Sequence, residues 1–219
     1  MTEELFRYIP RIEDENSAAV SDAQSGDGPQ DEGNEQDLYY YPHELQLSVP
    51  GIGQKIDALQ SGAEFQVFQT YMDDFAEFMA DLNLRHFQAS EFLFLGGSHY
   101  APGACRGLNE VPPRSLWPSI RTIAIAVDEV RERLGAPILF NSVYRNMPYN
   151  ACVDGVSGSF HLQFNAIDFR CLDGNRSGTW AAMAGEVRGE GLFTGGIGIY
   201  NTFVHIDSRG VNRNWDNRG

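Results

Sequence analysis

The chain has 219 residues, 42% of them hydrophobic and 12% aromatic, which is enough for one well-packed domain with some chain left over. Its formal charge is −14 at pH 7, and Lys55 is the sole lysine. So acidic a surface excludes a nucleic-acid partner, whose phosphates need clustered Lys and Arg, and argues against electrostatic adhesion to anionic membranes or cell walls.

The N-terminus, "MTEELFRYIPRIEDENSAAV", carries no basic stretch followed by an apolar run, so no secretory signal is read there, and no segment reaches transmembrane length. The protein is therefore expected to be made soluble and in the cytoplasm, with another machine carrying it to any target outside. Residues 12–37 are acidic, rich in Ser, Gly, Asn and Gln, and almost free of large apolar side chains. Such a segment cannot bury enough surface to offset its ordering entropy. Residues 1–60 thus read as an acidic arm, either a solvated tail or a segment that orders on a partner. The second reading draws on the aromatic ends "LFRYIPRI" and "LYYYPHELQL" that flank the acidic run.

Residues 61–84 read as a connecting helix. Phe65, Phe68, Met72, Phe75, Met79 and Leu82 recur at steps of three and four, which makes a core or docking face. "HFQASEFL" follows, with Ser90 as the expected N-cap of a short helical turn. The clearest helix is "SLWPSIRTIAIAVDEVRERLG", with Leu116, Ile120, Ile123, Val127, Val130 and Leu134 in one stripe and Gly135 as its stop. Pro137 opens a short strand, "PILFNS", and a turn is expected through "VYRNMPYNACVDGVSGS". In the strand "NAIDFRC", Ile167, Phe169 and Cys171 face one way and Ala166, Asp168 and Arg170 the other. "TWAAMAGEVRG" reads as a helix with Trp180, Met183 and Val187 inward, and "GGIGIY" and "FVHID" as a hairpin-like pair joined at Asn201-Thr202. The sum is an α+β domain, a small, mostly antiparallel sheet with flanking helices, over residues 85–219. Cys105, Cys152 and Cys171 are odd in number and widely spaced, and are read as free thiols in or near the core, with a disulfide between two of them as the alternative.

The chemistry concentrates in "SFHLQFNAIDF" and "FVHID". Asp168 would be an expensive group to bury in a strand without a partner. His205 and Asp207 share a strand face, and with His161 and Asp168 they give two histidines and a carboxylate that a small sheet can bring together. Two His and one Asp make a normal zinc set when a fourth position stays open, and the open position is what makes such a site catalytic. A histidine in a strand is more often a satisfied polar residue than a ligand, so spacing alone leaves both readings standing. His43, His86 and His99 have no such context and are read as structural or surface residues.

Longer motifs add to this. Ser142-Val143-Tyr144-Arg145, Tyr149-Asn150, Ser159-x-His161, Ala166-x-Asp168 and His205-Ile206-Asp207 follow one another in order. Together with "FQASEFL", "LNEVPP", "VRERLGAPILFNS" and "GGIGIY", this pattern over roughly residues 85–215 resembles the zinc D-Ala-D-Ala carboxypeptidase and L-Ala-D-Glu endopeptidase family, whose fold is shared with the Hedgehog signalling domain. The resemblance implies that His161, Asp168 and His205 hold Zn2+, and that Arg145 binds the carboxylate or carbonyl of a peptidoglycan peptide. Two positions depart from the family pattern. Phe164 stands where the family has glycine, with a narrowed or reshaped pocket wall expected. Thr202 stands where several branches carry a carboxylate. Asp207 is then either the general base or a residue that orients His205.

Two functions follow from the resemblance. One is a zinc peptidase acting on peptidoglycan stem peptides or cross-links in the cell wall or periplasm, as a bacteriophage tail component or an endolysin, with the arm seated on other tail proteins. The other is a structural phage tail protein that keeps the peptidase fold with a weak or inactive site. Neither calls for membrane insertion.

Overall fold

A computed structural model describes residues 63–219, with side chains from Val67 onward. The expected arm, residues 1–60, lies outside the described residues, as do His43, Lys55 and the side chain of Phe65. The first helix, α1, spans Ala63–Ala80, and the apolar spacing of its second half explains its seat, with Phe75 and Met79 buried in the core. Phe75 packs edge-on to Trp117, while Phe68 remains exposed. A 3-10 turn, Ala89–Leu93, follows. Its cap is Gln88, not the expected Ser90, in a capping box closed by Glu91.

A one-turn helix, α2 (Gly97–Tyr100), leads through a loop to α3, Trp117–Leu134. Helix α3 buries Ile120, Ile123, Val127 and Val130, as its stripe predicts, and stops at Gly135 with φ 65°, the left-handed conformation that glycine tolerates best. Strand β1 (Ile138–Ser142) is followed by α4, Met147–Cys152, where the sequence suggested only a turn. Asn146 caps α4 by accepting from the Tyr149 amide, and Pro148 sits in the first turn, where a missing N–H costs nothing. A 3-10 turn, Phe160–Gln163, precedes β2 (Ala166–Cys171); then come α5 (Ser177–Gly189), β3 (Gly196–Ile199), β4 (Val204–Asp207) and β5 (Arg213–Asp216).

The domain is α+β, with the five strands in the order β1-β2-β4-β3-β5. Pairing is antiparallel except between β3 and β5, which are parallel, so the sheet is mixed. Strand β5 has no counterpart in the sequence reading; four residues with only Trp215 large and apolar give no usable alternation. Helices α3 and α5 pack on each other and on one face of the sheet. That face supplies Ile167 and Phe169 from β2, Val204 and Ile206 from β4, and Ile197 from β3 to a single core. Among the described residues, no helix is long and apolar enough to cross a membrane.

Cys105 and Cys152 form a disulfide that ties the loop after α2 to the end of α4, with 5.6 Å between their Cα atoms. This corrects the free-thiol reading for those two residues; they lie 47 apart in sequence, and only the fold brings them together. Cys171 is the free, buried thiol, and burial pushes its pKa up to about 11.

Candidate metal centre

The face of the sheet opposite the helices carries the polar constellation, and the strand register sets it out in a line. Asp168 on β2 lies directly across from His205 on β4, His205 across from Gly198 on β3, and Gly198 across from Trp215 on β5. On the other side, an irregularity in β1 between Phe140 and Ser142 places Ser142, and not Asn141, opposite Asp168. Bulges of this kind re-aim a side chain beside a functional site. Directly paired residues share a face, so one row crosses all five strands.

His161 comes from the 3-10 turn that leads into β2. Ser159 caps that turn, its Oγ accepting from the His161 amide at 3.4 Å, and the Arg145 amide donates to the His161 carbonyl at 3.2 Å. The three candidate ligand atoms converge. His161 Nε2 is 3.1 Å from Asp168 Oδ2 and 3.3 Å from His205 Nδ1, and His205 Nδ1 is 2.7 Å from Asp168 Oδ1. Bond lengths near 2.0–2.1 Å about a tetrahedral zinc put ligand atoms roughly 3.3 Å apart; the two imidazole nitrogens stand at that separation, and Asp168 brings one oxygen near each of them.

The outer ring nitrogens are both spoken for. His161 Nδ1–H donates to the Val143 carbonyl at 2.6 Å, and His205 Nε2–H donates to Asp207 Oδ2 at 2.9 Å. These bonds turn His161 Nε2 and His205 Nδ1 toward each other and toward the Asp168 carboxylate. A proton on His205 Nδ1 donates to Asp168 Oδ1 at 2.7 Å, and a zinc ion would take that proton's place between the two nitrogens and the carboxylate. The donor set therefore fits zinc: two imidazoles, one carboxylate, and all three side chains buried.

The electrostatics agree with the geometry. Burial disfavours a charged ring at His161 and draws its pKa down. Burial also works against the Asp168 carboxylate, but His161, Arg145 and His205 around it outweigh that and hold it well below the usual range. At His205 burial is outweighed by the hydrogen bonds to Asp168 and Asp207, which lift its pKa to about 9.

Arg145 is buried beside this set, its Nη2 donating to Asp168 Oδ2 and its Nε to Ser142 Oγ at 2.7 Å. The sequence motif contained Ser142 without revealing its task, which is to hold the guanidinium. Asp207 is fully buried behind His205, on the far side of the ring from the other ligands. It also accepts from Arg209 and from the Gly196 amide, and these partners, with His205, overcome its burial and keep its carboxylate far below the ordinary range. A carboxylate on the outer nitrogen of a candidate ligand stands where a residue that orients the ring would stand.

Phe164 does not line the site. Its backbone is left-handed, φ 56°, and its ring turns into the core against Phe75 and Tyr144. The expected narrowing of the pocket wall is thus corrected: the position demands a conformation that glycine adopts freely, and here a buried ring compensates for the strain. His86 pairs with Glu132, and His99 Nδ1 accepts from the Asn109 amide, both away from the ligand set. Sequence reading missed the Val143 carbonyl, Arg209 and Trp215, whose ring centroid lies 5.3 Å from that of His205.

No curated protein and no solved structure gives a significant match to the chain. One family model does match: that of Peptidase M15, over residues 103–207, just under half of the chain. The segment similar to Peptidase M15 holds all three candidate ligands together with Arg145 and Asp207.

Proposed function

We propose that this protein is a zinc peptidase that hydrolyses peptide bonds of peptidoglycan, in stem peptides or their cross-links. The observation that carries the reading is the convergence of His161 Nε2, Asp168 and His205 Nδ1, with both rings oriented from behind by Val143 and Asp207. The match to Peptidase M15 over the same residues supports it. When bound, zinc supplies a Lewis acid for a scissile carbonyl and acidifies water toward neutrality.

The chain's own residues do the rest. Val143 and Asp207 hold the two rings in the orientation that turns the inner nitrogens toward Asp168. Ser142 holds Arg145 at the edge of the set, where a planar, two-pronged guanidinium suits a peptide carboxylate or a carbonyl oxygen that gains charge as the bond breaks. Asp168 stays ionised between Arg145 and the histidines.

The Cys105–Cys152 disulfide supports a place of action where thiols are oxidised, outside the cytoplasm. The acidic arm with aromatic flanks, and the scarcity of lysine, favour a phage-borne enzyme docked on other tail proteins over one that clings to the wall by its own basic surface. Peptides of this chain in purified phage particles are the expected finding for that part of the proposal; their presence in the lysate alone points to an endolysin.

The enzyme reading is tested with purified protein, metal analysis and isolated sacculi. One zinc per chain, and release of peptides that chelator stops, zinc restores and His161→Ala abolishes, are expected. Protein that holds no stoichiometric zinc, or releases nothing from sacculi, sinks the enzyme reading and leaves the inactive tail protein. Mass spectrometry of the released peptides identifies the bond.

A further inference from the structure

The family match ends at Asp207, and the next nine residues reach back to the site. Arg209 wraps around the Asp207 carboxylate. Its Nε donates at 2.8 Å to Oδ1 and 3.1 Å to Oδ2, its Nη2 donates at 2.5 Å to Oδ2, and its backbone amide donates at 3.1 Å to Oδ1. The guanidinium is itself held between two rings, 4.5 Å above Phe160 and 5.1 Å from Trp215. Phe160 is the residue before His161, and Trp215 lies beside the His205 ring.

Strand β3 is shaped to admit this arrangement. A Cβ on Gly198 would come within 2.3 Å of the Trp215 indole. A Cβ on Gly196 would stand 2.5 Å from Asp207 Oδ2, 2.9 Å from Arg209 Nη2 and 2.9 Å from Trp215. Two glycines in a four-residue strand weaken it and leave room for close approach, and here the space is filled by β5 and by the Arg209–Asp207 pair.

We propose that Arg209, clasped between Phe160 and Trp215, is a positioning residue for the zinc ligand His205, acting through Asp207. Arg209 fixes both oxygens of Asp207, Asp207 fixes Nε2–H of His205, and that bond presents Nδ1 to the ligand set. Without the guanidinium, Asp207 retains amide partners on Oδ1, while Oδ2 is held by His205 Nε2–H alone. The inference rests on the zinc reading above and extends it beyond the matched segment.

Zinc affinity of the full chain, measured by competition with a chromophoric chelator, tests this, with unfolding of the metal-free proteins as a control. Arg209→Ala is expected to weaken zinc binding about 10- to 100-fold, the usual effect of losing a partner that orients a ligand. Arg209→Lys should recover part of the loss. In an Asp207→Asn background, Arg209→Ala should cost nothing further, because the path to His205 is already cut. Unchanged affinity in Arg209→Ala, or an equal loss in both backgrounds, overturns the proposal. If Arg209→Ala does not fold, Trp215→Ala, which leaves the ion pair but removes one side of its clasp, should weaken zinc binding several-fold, and wild-type affinity there counts against the proposal. Wild-type protein that takes up no zinc refutes the zinc reading itself, whereas zinc-binding wild type with an unaffected Arg209→Ala refutes the positioning role alone.

Discussion

The two faces of β2 and β4 make the most instructive comparison in this molecule. On the helix face, Ile167, Phe169, Val204 and Ile206 are buried among other apolar side chains and contribute through area and packing, with no partner singled out. On the other face, Asp168, His205 and Asp207 are also buried, yet each depends on named partners: Arg145, two imidazoles, Arg209 and backbone donors. Burial on the first face stabilises by itself. Burial on the second costs free energy unless every charge is met, and this is what makes the set competent to hold a cation. The same strands do both because side chains alternate, so a one-residue slip of β4 against β2 would exchange the core for the site.

Four experiments break or sharpen that contrast. The largest effect is expected from Asp168→Ala. It should abolish stoichiometric zinc binding and peptide release from sacculi, because it removes one ligand and strands Arg145 beside two histidines. Metal analysis and product release check it. Second, Phe169→Ala on the helix face should lower stability by about 3–5 kcal/mol while the protein that remains folded binds zinc as the wild type does. Loss of zinc affinity there would mean that the two faces are not independent. Third, reducing the Cys105–Cys152 bridge, or replacing both cysteines by alanine, should cost about 3–4 kcal/mol on the loop-entropy account for a sequence separation of 47, again without loss of the ligand set. Denaturant unfolding under oxidising and reducing conditions reads this directly. Fourth, Phe164→Gly should cost only about 2 kcal/mol, since a buried ring is lost but a left-handed backbone is relieved. Zinc affinity and cleavage should stay unchanged; a gain in cleavage would restore Phe164 to the pocket wall.

Much of this contrast is legible in the chain itself. The 3.6-residue stripe of α3 and the alternation of β2 and β4 follow from local geometry and name the buried face without any tertiary information. Asp168 between Ile167 and Phe169 signals a compensated charge for the same reason. What escapes is whatever depends on the local backbone conformation or on residues meeting from far apart in the chain. Asn146 as a cap shows only once the chain is seen to turn helical after Arg145. The disulfide needs α4 and the loop after α2 to come within reach of each other. Phe164 looks like an obstruction in a one-dimensional motif, because a positive φ, which sends its ring into the core, is not written in the residue type.

By itself, then, the sequence determined the α+β class and the helix face of the sheet, which are properties of residue type and short-range period. It was the resemblance to a zinc peptidase family that singled out His161, Asp168 and His205 as a ligand set. The tertiary structure decided the rest: that β2 pairs with β4 so that Asp168 meets His205, that Asp207 turns behind the ring and not toward the ligand set, and that Arg209 and Trp215 come back to clasp it. These depend on strand order and on a chain reversal after β4, which are settled by the packing of the whole sheet and not by any local run of residues.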